Sequence, residues 1–126
     1  MTDTSHYDRI GGDAGVRRLV DRFYDVMSEL PETKGVLALH PASLDSSRDK
    51  LFWFLCGWLG GPQHYVERFG HPRLRARHLP FPISTSERDQ WMLCMRHALE
   101  ATVEDIALRE TLASSFAKLA DHMMNR

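Results

Sequence analysis

Cysteine is scarce in this 126-residue chain: only Cys56 and Cys94 occur, and they form no CxxC pair. So few thiols exclude a disulfide scaffold. Long apolar runs are also missing, and none approaches the roughly 18–20 residues of a membrane span. Neither sign of charge is in excess. Sixteen Lys+Arg against 17 Asp+Glu leave a formal charge of −1, which excludes a general electrostatic affinity for nucleic acid or anionic membranes. The opening MTDTSHYDRI lacks the basic-then-apolar order of a signal peptide, so the expected location is the cytoplasm. No strand-like alternation appears. HExxH, a Gly-rich phosphate loop, GxSxG, an EF-hand ligand series and Glu-x-x-His are all absent. Hydrolytic, nucleotide and di-iron chemistries lose their usual carriers.

What is present is an ordinary globular composition, 43% hydrophobic and 26% charged. A chain of this length buries roughly 65–70% of its unfolded surface without covalent help. With no linker, repeat or low-complexity tract, it reads as one domain over residues 1–126. From Asp13 to Leu30, Val16, Leu19, Val20, Phe23 and Met27 recur at three- and four-residue steps, which predicts a helix with one apolar face. Asp13 is placed to cap it, Pro31 follows it, and Gly11-Gly12 predicts a tight corner before it. A shorter turn is expected between Pro31 and Pro41. Leu44, Leu51, Phe54, Leu55 and Trp58 predict a second long helix over Ser43–Leu59, stopped by Gly60-Gly61-Pro62. Ser84-x-x-Glu87 is a capping box opening a third, with Trp91, Cys94, Met95, Ala98 and Leu99. Leu112, Phe116, Leu119 and Met123 mark a fourth, near Leu108–Met124. The fold class is all-α.

Residues 63–83, QHYVERFGHPRLRARHLPFPI, stand apart. Pro72, Pro80 and Pro82 forbid a long helix, yet Leu74, Phe81 and Ile83 are apolar enough to point inward. Long irregular segments with apolar anchors are usually functional. His64, His71 and His78 are spaced by seven, one face of an unbroken helix, but Gly70 and Pro72 break it and a three-histidine metal site fails. Singly, His78 has Arg75 and Arg77 before it and Leu79, Phe81 and Ile83 after it. An imidazole at an apolar rim beside arginines suits an iron porphyrin, whose propionates want cations at the edge. Taken alone, these residues suit a half-buried structural histidine at a helix end better still.

The wider pattern bears on that choice. GHPRLRARHLPFPI followed by ERDQWMLCM, with GGP upstream, Gly11-Gly12, RFYDVM around Tyr24 and the FL…GGP run from Phe54 to Pro62, resembles the group II truncated haemoglobins over nearly the whole chain. The resemblance implies a two-over-two helical sandwich around haem b (iron protoporphyrin IX). It matches His78 to the proximal iron ligand. Trp91 and Tyr24 match distal hydrogen-bond donors, with His40 beside them, and Ser47 and Leu51 lie over the haem face. Lys50, Tyr65 and Arg77 match contacts to the propionates. Phe54, Leu55, Leu74, Phe81, Ile83 and Met95 match the lining. Ser47 and the Gly57-Trp58 pair depart from the family's usual residues. The implied activity is reversible binding of oxygen and other diatomic gases, carbon monoxide and nitric oxide among them, by a monomer or homodimer. The alternatives are a haem enzyme, a peroxidase or nitric oxide dioxygenase dependent on an external reductase, and a haem-free helical interaction module. Cys56 and Cys94 are expected to be buried thiols rather than redox partners.

Overall fold

The computed structural model describes residues 4–126. Among these, every regular element is helical: α1 (His6–Ile10), α2 (Gly12–Glu29), a 3₁₀ turn (Pro31–Thr33), α3 (Lys34–Leu37), α4 (Asp45–Trp58), α5 (His64–Phe69), α6 (Leu74–His78), α7 (Thr85–Thr102) and α8 (Ile106–Met123). None is long and apolar enough to cross a membrane. The four long helices fall where apolar periodicity predicts them, and the proline-rich segment holds only the two short helices α5 and α6.

The corner before α2 is a glycine structure. Gly11 and Gly12 have φ of 108° and 67°, a region that L side chains rarely enter. One turn on, a Cβ at Gly15 would lie 1.9 Å from the Ile10 carbonyl oxygen, so α1 crosses α2 at backbone contact. Gly11 itself is the N-cap, with no side-chain cap bond. The expected cap, Asp13, lies inside the helix, and its carboxylate turns to Tyr7, Cys56 and His64 instead.

The apolar stripe of α2 meets α7, and the two long-helix pairs α2/α4 and α7/α8 pack across that contact as the two layers of the sandwich. Phe23 of α2 and Phe116 of α8 are fully buried. Each flanks Trp91 of α7, with ring centroids at 5.1 and 6.0 Å. Trp58 of α4 closes on Phe116 at 4.9 Å. Aromatic pairs in such tilted arrangements contribute about 0.5–1.5 kcal/mol beyond the area they bury. Both cysteines are buried and free. The predicted capping box is complete, since Glu87 accepts from the Ser84 backbone N–H at 2.8 Å.

The start of α6 is set by a strained residue. Arg73 is the one non-glycine with positive φ, 46°, among the described residues. His71 Nδ1 accepts the Arg73 N–H at 3.1 Å and holds the bend, which gives His71 a structural role. The cost of such a conformation is of order 1–3 kcal/mol, and it aims the five residues that end in His78.

Candidate functional site

His78 closes α6, and its imidazole is oriented from its own helix. Nδ1 lies 2.6 Å from the Leu74 carbonyl oxygen. A carbonyl only accepts, so Nδ1 carries a proton toward Leu74 and Nε2 is left without a protein partner among the described residues. This is how a metal-ligating histidine is normally held: one nitrogen fixed by a hydrogen bond, the other free.

The backbone after His78 is braced from α8's end. Asn125 Nδ2 donates to the carbonyls of His78 and Phe81 at 3.2 and 2.9 Å. Its Oδ1 accepts the Ile83 N–H at 3.0 Å, and its own N–H donates to the Ile83 carbonyl at 2.9 Å. Arg75 adds donors to the His122 and Met124 carbonyls. Of the residues expected to point inward, Ile83 is buried and Leu74 half-buried, but Phe81 is 42% exposed and its neighbour Leu79 52%. Asn125 ties down the main chain of this run and leaves Phe81 and Leu79 exposed, an apolar shelf that follows His78 in the chain.

Tyr24, His40 and Trp91 form a separate group, linked through the rings of Phe23 and Tyr24. Tyr24 is buried on α2, edge-on to Phe23 at 4.9 Å and to His40 at 5.7 Å. Burial pushes the Tyr24 hydroxyl far above its ordinary pKa, so it stays a donor throughout the physiological range. Neither the Tyr24 hydroxyl nor the Trp91 indole N–H donates to a protein acceptor among the described residues, and no such atom is sealed from solvent without a partner. Both donors therefore open onto accessible space. His40 follows α3, with Nδ1 at 2.9 Å from the Val36 carbonyl. It too presents Nε2, as an acceptor while neutral. Burial holds its pKa below the ordinary value.

Ser47, Leu51 and Phe54 share one face of α4 and are each half-buried, whereas Leu55 and Met95 are fully buried in the core beneath. Phe54 and Leu74 also line an open groove of about 410 Å³. At the rim, the Arg77 guanidinium lies 5.8 Å from the Tyr65 ring centroid, and its Nε donates to the Pro72 carbonyl at 2.7 Å. Lys50 is exposed on α4. Neither cation is in a salt bridge among the described residues.

Three supporting residues escape a sequence reading. Asn125 acts through main-chain carbonyls more than 40 positions away, and nothing in its neighbours signals that. Gln90, adjacent to Trp91, accepts the Val36 N–H at 2.8 Å and so fixes the turn that carries His40. Arg48 bridges Asp21 and Asp25 at 3.2 and 2.8 Å, with its guanidinium 5.8 Å from the Tyr24 ring centroid. Its place one residue after Ser47 on α4 is the only hint available.

An all-helical two-over-two sandwich, with His78 oriented by the Leu74 carbonyl and with Tyr24 and half-buried Trp91 packed about Phe23, has the architecture of a globin-type protein. The family comparisons agree. Residues 5–125 match the bacterial-like globin family. Group 2 truncated hemoglobin YjbI of Bacillus subtilis is 38% identical over 120 residues, covering 95% of this chain and 88% of that protein. The cold-adapted truncated hemoglobin of the Antarctic bacterium Pseudoalteromonas haloplanktis TAC125 superposes with a TM-score of 0.96 at 46% identity, covering 98% of this chain and 99% of that one. The group II 2-on-2 hemoglobin of Agrobacterium tumefaciens gives 0.95 at 47% identity, covering 99% and 97%. The chain belongs to the truncated globins of group II, a family whose fold implies haem.

Proposed function

We propose that this chain holds haem b through His78 and reversibly binds oxygen and other diatomic gases against the wall of Trp91, Tyr24 and His40. The observation that carries the reading is the His78 imidazole, whose committed Nδ1–H leaves Nε2 for iron. The surroundings fit the group. The Phe81–Leu79 shelf and the Leu51–Phe54 face of α4 offer hydrocarbon to a flat ring, and Arg77, Tyr65 and Lys50 stand where carboxylates at its edge want partners. Leu74 and Ile83 complete the lining, with Leu55 and Met95 packed behind it.

Bound haem supplies a ferrous iron that shares electron density with oxygen and so makes the gas a hydrogen-bond acceptor. The chain answers with donors. Trp91 has one N–H and nothing else to offer, and Tyr24 keeps its proton because it is buried. Neutral His40 spends its Nδ1–H on the Val36 carbonyl and presents Nε2 only as an acceptor, so it joins the donors only once it is protonated. Ser47 is too short to reach as far as these aromatic side chains, which leaves the hydrogen bonding to the opposite wall.

The test is the absorption spectrum of the purified protein. Expressed with a haem precursor and reduced under carbon monoxide, it is expected to show an intense Soret band that shifts on gas binding. A colourless protein contradicts the proposal.

A further inference from the structure

A second cluster of ligand-type side chains lies on the other side of α4. Cys56 is half a helical revolution out of phase with Ser47 and Leu51, so it faces α2 rather than the shelf around His78. There it meets Asp13 of α2 and His64 of α5. Cys56 Sγ, His64 Nε2 and an Asp13 carboxylate oxygen all lie within 4.8 Å of one another. Sγ and Nε2 stand 3.5 and 3.4 Å from the same oxygen, Asp13 Oδ1. Tyr7 donates to that oxygen as well, at 2.6 Å.

Those separations matter. Zinc binds sulfur, imidazole nitrogen and carboxylate oxygen at about 2.0–2.3 Å in a tetrahedron, whose edges are then roughly 3.3–3.7 Å. The distances from Sγ and Nε2 to Asp13 Oδ1 already equal such edges. The ring of His64 is further oriented by stacking on Phe52, at 6.1 Å and 24° between planes. The site is reachable, since the side chains of His64 and Asp13 keep 23% and 54% of their exposure. One thiolate, one imidazole and one carboxylate form the mixed donor set that selects zinc over calcium or magnesium.

We propose that Asp13, Cys56 and His64 form a binding site for one zinc ion, with water as the fourth ligand. It is independent of the gas-binding reading. The exchange balances as follows. The Cys56 thiol gives its proton to solvent and binds as thiolate. His64 moves its ring proton from Nε2 to Nδ1 and binds through Nε2. Asp13 trades the Cys56 and His64 donors for the metal, while Tyr7 stays neutral and keeps donating to the carboxylate. Burial and the Asp13 carboxylate push the free Cys56 thiol up to about 12, so without metal it holds a full proton at neutral pH. Zinc uptake therefore releases about one proton per ion. By joining α2, α4 and α5, the ion also stabilises the folded chain.

The experiment uses the purified full-length protein with its native complement of cofactor. It is incubated with zinc chloride, desalted, and titrated against a fluorescent zinc chelator, with proton release followed by a pH dye. Wild type is expected to retain one zinc ion and to release one proton. Cys56→Ser and His64→Gln should each weaken zinc binding about 100-fold or more, while His97→Gln, an exposed histidine on α7, should leave it unchanged. His64→Gln alters a side chain outside the core, so the result is readable even if Cys56→Ser folds poorly. Failure of wild type to retain zinc, or retention at wild-type strength by His64→Gln or by a folded Cys56→Ser, overturns the proposal.

Discussion

The side-chain amide of Asn125 donates to the main-chain carbonyl of His78 at 3.2 Å, so α8's end fixes the point where α6 stops. The same side chain holds Phe81 and Ile83. Asn125→Ala removes all three bonds and leaves the His78 and Phe81 carbonyls without this donor and the part-buried Ile83 N–H without its acceptor. Stability should fall by about 1–3 kcal/mol, and haem should be lost several-fold faster to an apo-globin acceptor because the shelf after His78 loosens. Haem loss at the wild-type rate would show that the brace serves the fold alone.

Arg77 is the residue proposed for a propionate. Its Nε is already held by the Pro72 carbonyl, so little side-chain freedom is lost on pairing. It is nevertheless exposed, and exposed ion pairs contribute about 0–1 kcal/mol. Arg77→Ala should raise the haem-loss rate no more than about five-fold, with Lys50→Ala and Tyr65→Phe smaller still. Unchanged rates in all three variants would remove these residues from the haem edge.

His40 supplies a pH signature. Burial holds its pKa below the ordinary 6.5. As pH falls, the unfolded chain takes up this proton first. His40 therefore contributes stability that is complete above about pH 6.5 and is lost as pH falls through its lower folded pKa. Denaturation midpoints measured from pH 7.5 to 5 should drop less in His40→Phe than in the parent. Below that folded pKa the Nε2 position also becomes a donor, so oxygen release should slow on acidification in the parent and stay flat in His40→Phe. Equal pH profiles for the two proteins would place His40 outside the gas pocket.

Much of this was legible in residue order. The stripe from Val16 to Met27, the capping box at Ser84 and the prolines around His78 each act within a few positions, so α2, α7 and the break before α7 follow from local physics. Tyr24, His40 and Trp91 do gather on one side, but it took the family resemblance, beyond their own spacing, to single them out. Asp13 was misread as a helix cap because its partners, Cys56 and His64, lie 43 and 51 residues away. The exposure of Phe81 was missed for a similar reason. An apolar residue between two prolines gives no periodicity from which its direction can be read.

Trp91 separates a hydrogen bond from mere packing. Its indole can only donate, and a hydrogen bond to a charged acceptor contributes about 1.5–3 kcal/mol, or roughly 10- to 150-fold in an equilibrium constant. Trp91→Phe should speed oxygen release within that range. Carbon monoxide carries far less negative charge when bound, so its release should change little. Tyr24→Phe should act in the same direction, more weakly. Equal acceleration for both gases would make Trp91 a packing residue.

Ligation by His78 is tested most directly by cutting out its imidazole and giving it back. His78→Gly removes the ring held by the Leu74 carbonyl and leaves a space of its size at the end of α6. The purified variant is expected to lose most of its Soret absorbance, and millimolar imidazole should restore the band together with its shift under carbon monoxide. A His78→Gly protein that keeps a wild-type spectrum without imidazole would contradict ligation by His78 and point to another residue, with His40 the first to examine.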